Sequence, residues 1–183
     1  MDAWELRYWA DECAKGREPT PFLMENLGFV RRGRALDVAM GEGRNAIFLA
    51  ENGFEVTGID ISETAVTHAR EWSARWNVNI DSQVADLESI ELPENTYDLV
   101  VVVHYLQRSL FEQIIRTLKP GGMLIYETYT EDHVKYRPMR PDYLLKRNEL
   151  LRAFSPLYVM LYREIDTPQK ERAVASLLAR KES

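Results

Sequence analysis

Residues 35–50, ALDVAMGEGRNAIFLA, decide the fold. An apolar run ends in a glycine-bearing turn and an amphipathic stretch follows, which reads as strand, turn, helix. Asn52-Gly53 then stop the helix, and residues 55–60 (EVTGID) form a second apolar run. Gly41-x-Gly43-x-x-Ala46 satisfies the loose G-x-G-x-x-G/A pattern, and Asp60 follows 19 residues after Gly41. Glycine lets such a turn bend tightly and lets a ligand approach bare backbone. A carboxylate at the end of the second strand can accept both hydroxyls of a ribose. This pattern fits any nucleoside cofactor that carries a ribose.

Outward from this unit, short apolar runs keep alternating with longer amphipathic stretches, the signature of βαβ units and a mostly parallel sheet. The predicted strands are residues 34–39, 55–60, 80–85, 98–103 and 123–128, followed by two more near 157–165 and 173–179. Residues 100–103 are apolar without alternation, as in a central strand covered on both faces. Predicted helices cover 44–51, 63–76 capped by Ser62, 110–118 ended by Pro120-Gly121-Gly122, and 148–154. At the start, residues 2–14 read as an amphipathic helix with Trp4, Tyr8 and Trp9, and a short helix follows near 21–27. Residues 129–146 hold Pro138, Pro141 and the basic Lys135, Arg137, Arg140 and Lys146, with Arg147 just beyond. An irregular stretch of that length is more often functional or disordered than a plain connector.

Composition narrows the function classes. The chain has 183 residues, 45% hydrophobic and 28% charged, with a formal net charge of −6, which suits one domain. The single cysteine, Cys13, allows no internal disulfide and no cysteine-based zinc site, so no metal is expected and a reducing cytoplasm is the expected location. The longest uncharged apolar stretch, residues 99–106 (LVVVVHYL), is far shorter than the roughly 20 residues that span a bilayer. Asp2 and Glu5 occupy the place of a signal peptide's basic and apolar regions. The acidic balance disfavours nucleic acid and anionic lipid as partners.

Asp37 discriminates between nucleoside cofactors. It lies on the first strand, four residues before Gly41. A dinucleotide brings a pyrophosphate to this turn, where a nearby anion is unwelcome. S-adenosylmethionine (SAM) brings an ammonium and a sulfonium, which an aspartate attracts. Glu42 inside the turn is a second objection to pyrophosphate, and Asp86, after the third strand, can accept a hydrogen bond from an adenine amino group. Two alternatives stay open at this point: an NAD-dependent oxidoreductase and a non-catalytic SAM-binding protein.

These residues resemble the class I SAM-dependent methyltransferases. The glycine motif is matched by residues 37–45 (DVAMGEGRN), the ribose acid by Asp60, the adenine-side acid by Asp86-Leu87, and a later strand motif by residues 118–122 (LKPGG). More narrowly, GRNAIFLA (43–50), YETYT (126–130), RPDYLLKRNELLRAF (140–154), LLARK (177–181), WELRYW (4–9) and GREPTPFL (16–23) resemble the small methyltransferases related to the tellurite-resistance enzymes. Those enzymes carry a His-Arg pair in their C-terminal region, whereas residues 163–172 (REIDTPQKER) contain no histidine. The resemblance implies an α/β, Rossmann-like class I fold: a seven-stranded, mostly parallel sheet with one antiparallel strand and helices on both faces. It implies one methyltransferase domain over 1–183, with residues 1–30 as a helical lid and 129–147 as an acceptor segment. It also implies SAM as cofactor and a small-molecule methyl acceptor, such as a thiol or chalcogen compound. The cofactor would be held by Arg7, Asp37, Ala39, Gly41, Gly43, Arg44, Asn45, Asp60, Ile61, Asp86, Leu87 and Val103. The oligomeric state is left open.

Methyl transfer from a sulfonium is an in-line displacement, so placement of the nucleophile supplies most of the catalysis. A soft thiolate or selenide needs no base, whereas an oxygen or nitrogen acceptor does. Ligands of open parallel sheets sit beyond the carboxyl ends of the strands. That directs attention to His104, Tyr105 and residues 127–130. His104 has two readings: the residue that touches cofactor or acceptor, or a hydrogen-bonded histidine at a strand end. His68 and His133 are expected on the surface, Cys13 as a packing residue, and Trp4, Tyr8 and Trp9 as either lid or glue. The basic stretch reads as a solvated loop or an anion-binding one.

Overall fold

The computed structural model describes residues 18–182, so the expected helix over 2–14, Arg7 and Cys13 lie outside the described residues. It divides into two compact units, one running to Ile90 and one from Glu91.

In the first unit, Pro21 opens a short helix, α1 (Pro21–Asn26), with its fixed φ suited to that position. Then β1 (Arg34–Val38), α2 (Arg44–Glu51), β2 (Glu55–Asp60), α3 (Glu63–Arg75) and β3 (Ile80–Val84) form two successive βαβ repeats. Val38 pairs with Ile59 and Ile59 with Gln83, both in parallel, so the three strands finish in line. Ser62 caps α3 as expected: its Oγ accepts the Ala65 N–H at 3.1 Å, with Glu63 in the first turn and Arg75 in the last, which suits the helix dipole.

The second unit holds β4 (Tyr97–Val103), α4 (Phe111–Thr117), β5 (Leu118–Tyr129), α5 (Glu149–Ala153), β6 (Tyr158–Thr167) and β7 (Arg172–Arg180). β4 is buried at every position except half-buried Asp98, as its unbroken apolar run required. β5 runs parallel to β4, and β7 runs antiparallel to both β5 and β6. The seven strands take the order β3-β2-β1-β4-β5-β7-β6, with β7 the single antiparallel strand. Among the described residues no helix is long and apolar enough to cross a membrane.

Two expectations need correction. The helix expected over 110–118 is present as α4, entered through a 3-10 turn (Arg108–Leu110), but Pro120-Gly121-Gly122 does not end it, since Leu118 already belongs to β5. Pro120-Gly121-Gly122 is a bulge inside the strand, where the pairing skips from Tyr97 with Leu118 to Leu99 with Met123. Gly121 takes φ +80 and donates its N–H to the Lys181 carbonyl at 2.8 Å, and the Lys181 N–H answers to the Gly122 carbonyl. A Cβ on Gly122 would meet the Tyr97 carbonyl at 2.9 Å. The breaker residues thus serve a bulge, a role that glycine plays as readily as a stop.

The basic stretch is also more ordered than a solvated loop. It contains 3-10 turns at Glu131–Lys135 and Pro141–Tyr143, a bridge between Thr130 and Leu145, and buried Leu144 and Leu145. The Arg108 guanidinium anchors it, donating to both carboxylate oxygens of Glu149 (2.6 and 3.1 Å) and to the carbonyls of Asp142 and Leu144. Lys135 and Tyr136 both bond Asp166 on β6.

Candidate cofactor site

The turn after β1 is a left-handed segment: Ala39, Gly41 and Gly43 have φ of 55, 56 and 79°. Glycine takes such a φ without strain, so the backbone cost falls on Ala39, which neighbouring groups must hold. The Met40 N–H donates to the Ile59 carbonyl and the Gly43 N–H to the Met40 carbonyl, both at 3.0 Å. Asp60 ties the turn to the start of α3: its Oδ2 accepts the Gly41 N–H at 2.8 Å and its Oδ1 the Ser62 N–H at 2.9 Å. A carboxylate has about four acceptor positions, so holding backbone N–H groups is compatible with accepting a ribose hydroxyl.

Small residues let the turn sit low. A Cβ on Gly58 would lie 2.1 Å from the Met40 sulfur, and one on Gly43 would lie 3.0 Å from the Ala69 Cβ. Met40, Val66 and Ala69 form a buried cluster. Sequence reading missed Met40 and Gly58 as support for the turn. A glycine inside a strand is the signal that points to such close approach.

Asp37 is 1% exposed, and its Oδ2 has no hydrogen-bond partner. Burial pushes its carboxyl up to about 7, against the pull of the Arg44 guanidinium and the Ala46 amide, with the Asp60 charge pushing the same way as burial. An unpaired buried acceptor asks for a donor. The ammonium of SAM supplies one with the matching charge, so the residues fit that cofactor.

The remaining expected residues of this unit fall around the same strand ends. Arg44 and Asn45 open α2, and the Asn45 side chain accepts the Thr20 N–H at 2.9 Å, bringing the segment before α1 against the turn. Ile61 is half exposed directly after Asp60. The Ala85 N–H donates to the Asp60 carbonyl, which brings Asp86 and buried Leu87 beside the end of β2. Asp86 is exposed, with Oδ1 accepting the Glu88 N–H. The Glu42 carboxylate is turned onto His68, 2.8 Å away, so His68 is a half-buried partner of the turn and not the free surface residue expected.

In the second unit Val103 is buried and His104 comes next, at the carboxyl end of β4, with φ 56° and its N–H donated to the Glu127 carbonyl at 2.8 Å. Its ring stacks on Tyr129 (centroids 4.7 Å, 15° between planes), and Tyr129 stacks on His133 (4.1 Å, 19°). His133, expected on the surface, is 3% exposed. Its Nδ1 accepts the Ala173 N–H, and burial, with Arg137 and Arg172, holds it below the usual histidine range. Nothing in a loop's residue pattern announces such a stack. Glu127, 1% exposed, is satisfied by Arg172 and Ser176.

A family model described as a methyltransferase domain matches residues 35–122. This segment is similar to that methyltransferase domain family. Outside it, the methyltransferase likeness extends over more of the chain. Phosphoethanolamine N-methyltransferase 3 of Arabidopsis thaliana is 29% identical over 138 residues, spanning 72% of this chain and 28% of its own. TehB of Haemophilus influenzae, named a probable S-adenosyl-L-methionine-dependent methyltransferase, is 28% identical over 139 residues, spanning 72% of this chain and 48% of its own. The chain thus matches less than half the length of either relative. The crystal structure of TehB from Haemophilus influenzae superposes with a TM-score of 0.78 at 20% identity, covering 98% of this chain and 67% of that one. The [4+2]-cyclase SpnF superposes at 0.71 with 18% identity, over 87% and 78%. The fold is therefore the Rossmann-like class I methyltransferase fold. SAM is the cofactor that the name of the Haemophilus influenzae relative gives for that protein.

Proposed function

We propose that this protein transfers a methyl group from SAM to a small-molecule acceptor. The observation that carries the reading is the buried Asp37 carboxyl with an unpartnered oxygen beside the left-handed glycine turn. When bound, SAM supplies an activated methyl group on its sulfonium. Asp37 takes the ammonium, with Ala39, Gly41, Gly43, Arg44 and Asn45 around the amino-acid end. Asp60 takes the ribose hydroxyls while keeping its two backbone bonds. Ile61, Asp86 and Leu87 frame the adenine, and Val103 borders the cofactor. Arg7 pairs with the cofactor carboxylate, bidentate as a guanidinium allows.

The whole chain acts as one domain in this reading. Residues 1–30 form the lid, a role supported by the bond from Thr20 to Asn45, and residues 129–147 contact the acceptor. His104 touches the acceptor or the cofactor. Asp37 is a poor neighbour for a pyrophosphate, and the match to a methyltransferase domain weighs against the oxidoreductase alternative. The likeness to a [4+2]-cyclase shows that this fold also serves other chemistry, which keeps a non-transferring SAM binder in view.

The acceptor we favour is a thiol or chalcogen compound, because such nucleophiles need no base. The name of the Arabidopsis relative points instead to an amine, so both classes belong in the test. The acidic net charge supports a small molecule over nucleic acid, and the lone cysteine supports a cytoplasmic location. Methyl-labelled SAM should be offered with 2-mercaptoethanol, selenite, tellurite, small amines and phenols, alongside calorimetry with S-adenosylhomocysteine. Label on a thiol or chalcogen is the expected result. Label on an amine alone overturns the acceptor class. Tight S-adenosylhomocysteine binding with no transfer overturns the enzymatic reading, and absence of binding overturns the whole assignment.

A further inference from the structure

We propose that His68 is a positioning residue for the cofactor turn, acting through Glu42; the inference rests on the SAM reading of that turn. Glu42 stands between Gly41 and Gly43, both left-handed, so it is the only side chain at the centre of the segment that must keep its shape while a ligand lies against it. Two glycines make that segment expensive to order, since glycine loses more freedom than any other residue on being fixed. Among the described residues the turn has a side-chain tie from below, the Asp60 carboxylate on the Gly41 N–H. His68 supplies a second from the side. A carboxylate only accepts, so Nδ1 of His68 carries the proton and donates to Glu42 Oε1 across 2.8 Å.

The two ties close a ring. Asp60 Oδ1 accepts the Ser62 N–H, Ser62 caps α3, and α3 carries His68 six residues later. The next residue, Ala69, is the one whose Cβ the Gly43 backbone approaches. The first part of α3 therefore serves as a rigid splint for the turn. The same contact turns the Glu42 charge onto α3, leaving the unpartnered Oδ2 of Asp37 for the cofactor ammonium. Holding a loop in its bound shape before the ligand arrives raises affinity by lowering the ordering cost of binding.

The test uses the full chain and calorimetry with S-adenosylhomocysteine, together with hydrogen exchange at Gly41, Glu42 and Gly43. His68→Leu removes the donor, and His68→Asn keeps an N–H near the Nδ1 position. His68→Leu should weaken binding roughly three- to tenfold, the range of one such hydrogen bond, and speed exchange across the turn. His68→Asn should restore most of both. In a Glu42→Ala background, His68→Leu should cost nothing more. Wild-type affinity in His68→Leu, an undiminished effect in the Glu42→Ala background, or an equal loss in His68→Asn would each overturn the proposal. Asp37→Asn is the control for the underlying reading. If it weakens binding while His68→Leu does not, only this inference falls. If neither changes binding, the turn is not the cofactor site and both fall.

Discussion

Replacing Asp37 by asparagine should make the protein more stable and a worse binder, with a pH dependence that identifies the cause. Asp37 is 1% exposed and its carboxyl is pushed from 3.8 to about 7 by burial. A carboxyl whose folded value lies above its unfolded value favours the folded state fully at low pH. That contribution is lost as pH rises from about 4 to about 7. The interval from 3.8 to about 7 corresponds to about 4 kcal/mol of stability lost at pH 8. The amide of the variant has no charge to bury, so Asp37→Asn recovers up to that amount at pH 8 and almost nothing at pH 4. For a chain of this size that is a gain in Tm of up to roughly 10 °C. Thermal unfolding monitored by circular dichroism from pH 4 to pH 8, read as variant minus wild type, removes titrations common to both, including His133. His133 acts in the opposite sense, since its lowered value costs stability as pH falls through the acid range. Saturating S-adenosylhomocysteine should raise the wild-type Tm strongly and the variant's little. A difference independent of pH, or a variant less stable at pH 8, would refute the description of Asp37 as a strained buried acid awaiting a cation.

Three further outcomes rest on the packing of the turn and of the ring stack. Gly43→Ala places a side chain at φ +79 and 3.0 Å from the Ala69 Cβ, so urea unfolding should show a loss of about 1–2 kcal/mol together with weaker S-adenosylhomocysteine binding. Gly58→Ala collides with the Met40 sulfur and should cost about 1–3 kcal/mol, and Met40→Ala in the same chain should recover part of it. Tyr129→Leu removes the centre of the three-ring stack and should cost about 1 kcal/mol beyond its change in buried area, whereas Tyr129→Phe keeps the rings and should stay near wild type.

The seven strands were legible from the alternation of short strand-forming runs with amphipathic stretches, and β4 declared its central place by lacking alternation. The positions of Asp37, Gly41, Gly43 and Asp60 around one turn were legible because local spacing along one βαβ unit places them. The features that escaped were set by partners distant along the chain. Pro120-Gly121-Gly122 looks the same as a helix stop until the Lys181 backbone is seen to complete it as a bulge. The burial of His133 depends on Tyr129 and Ala173, and the attachment of Glu42 to α3 joins residues 26 apart on different elements. Arg108 carries no sequence signal of its own, yet it ties the Pro141–Tyr143 turn to α5.

The position of β7 also sets an order of assembly. β7 lies between β5 and β6, so β6 is made before the strand that attaches it to the sheet. At about 5–20 residues per second of synthesis, β6 leaves the ribosome with both edges open. Its exposed Met160, Leu161 and Ile165 add an apolar surface during that interval. A released chain truncated just after Thr167 would therefore present an open, adhesive strand that a chaperone or a neighbouring chain could capture.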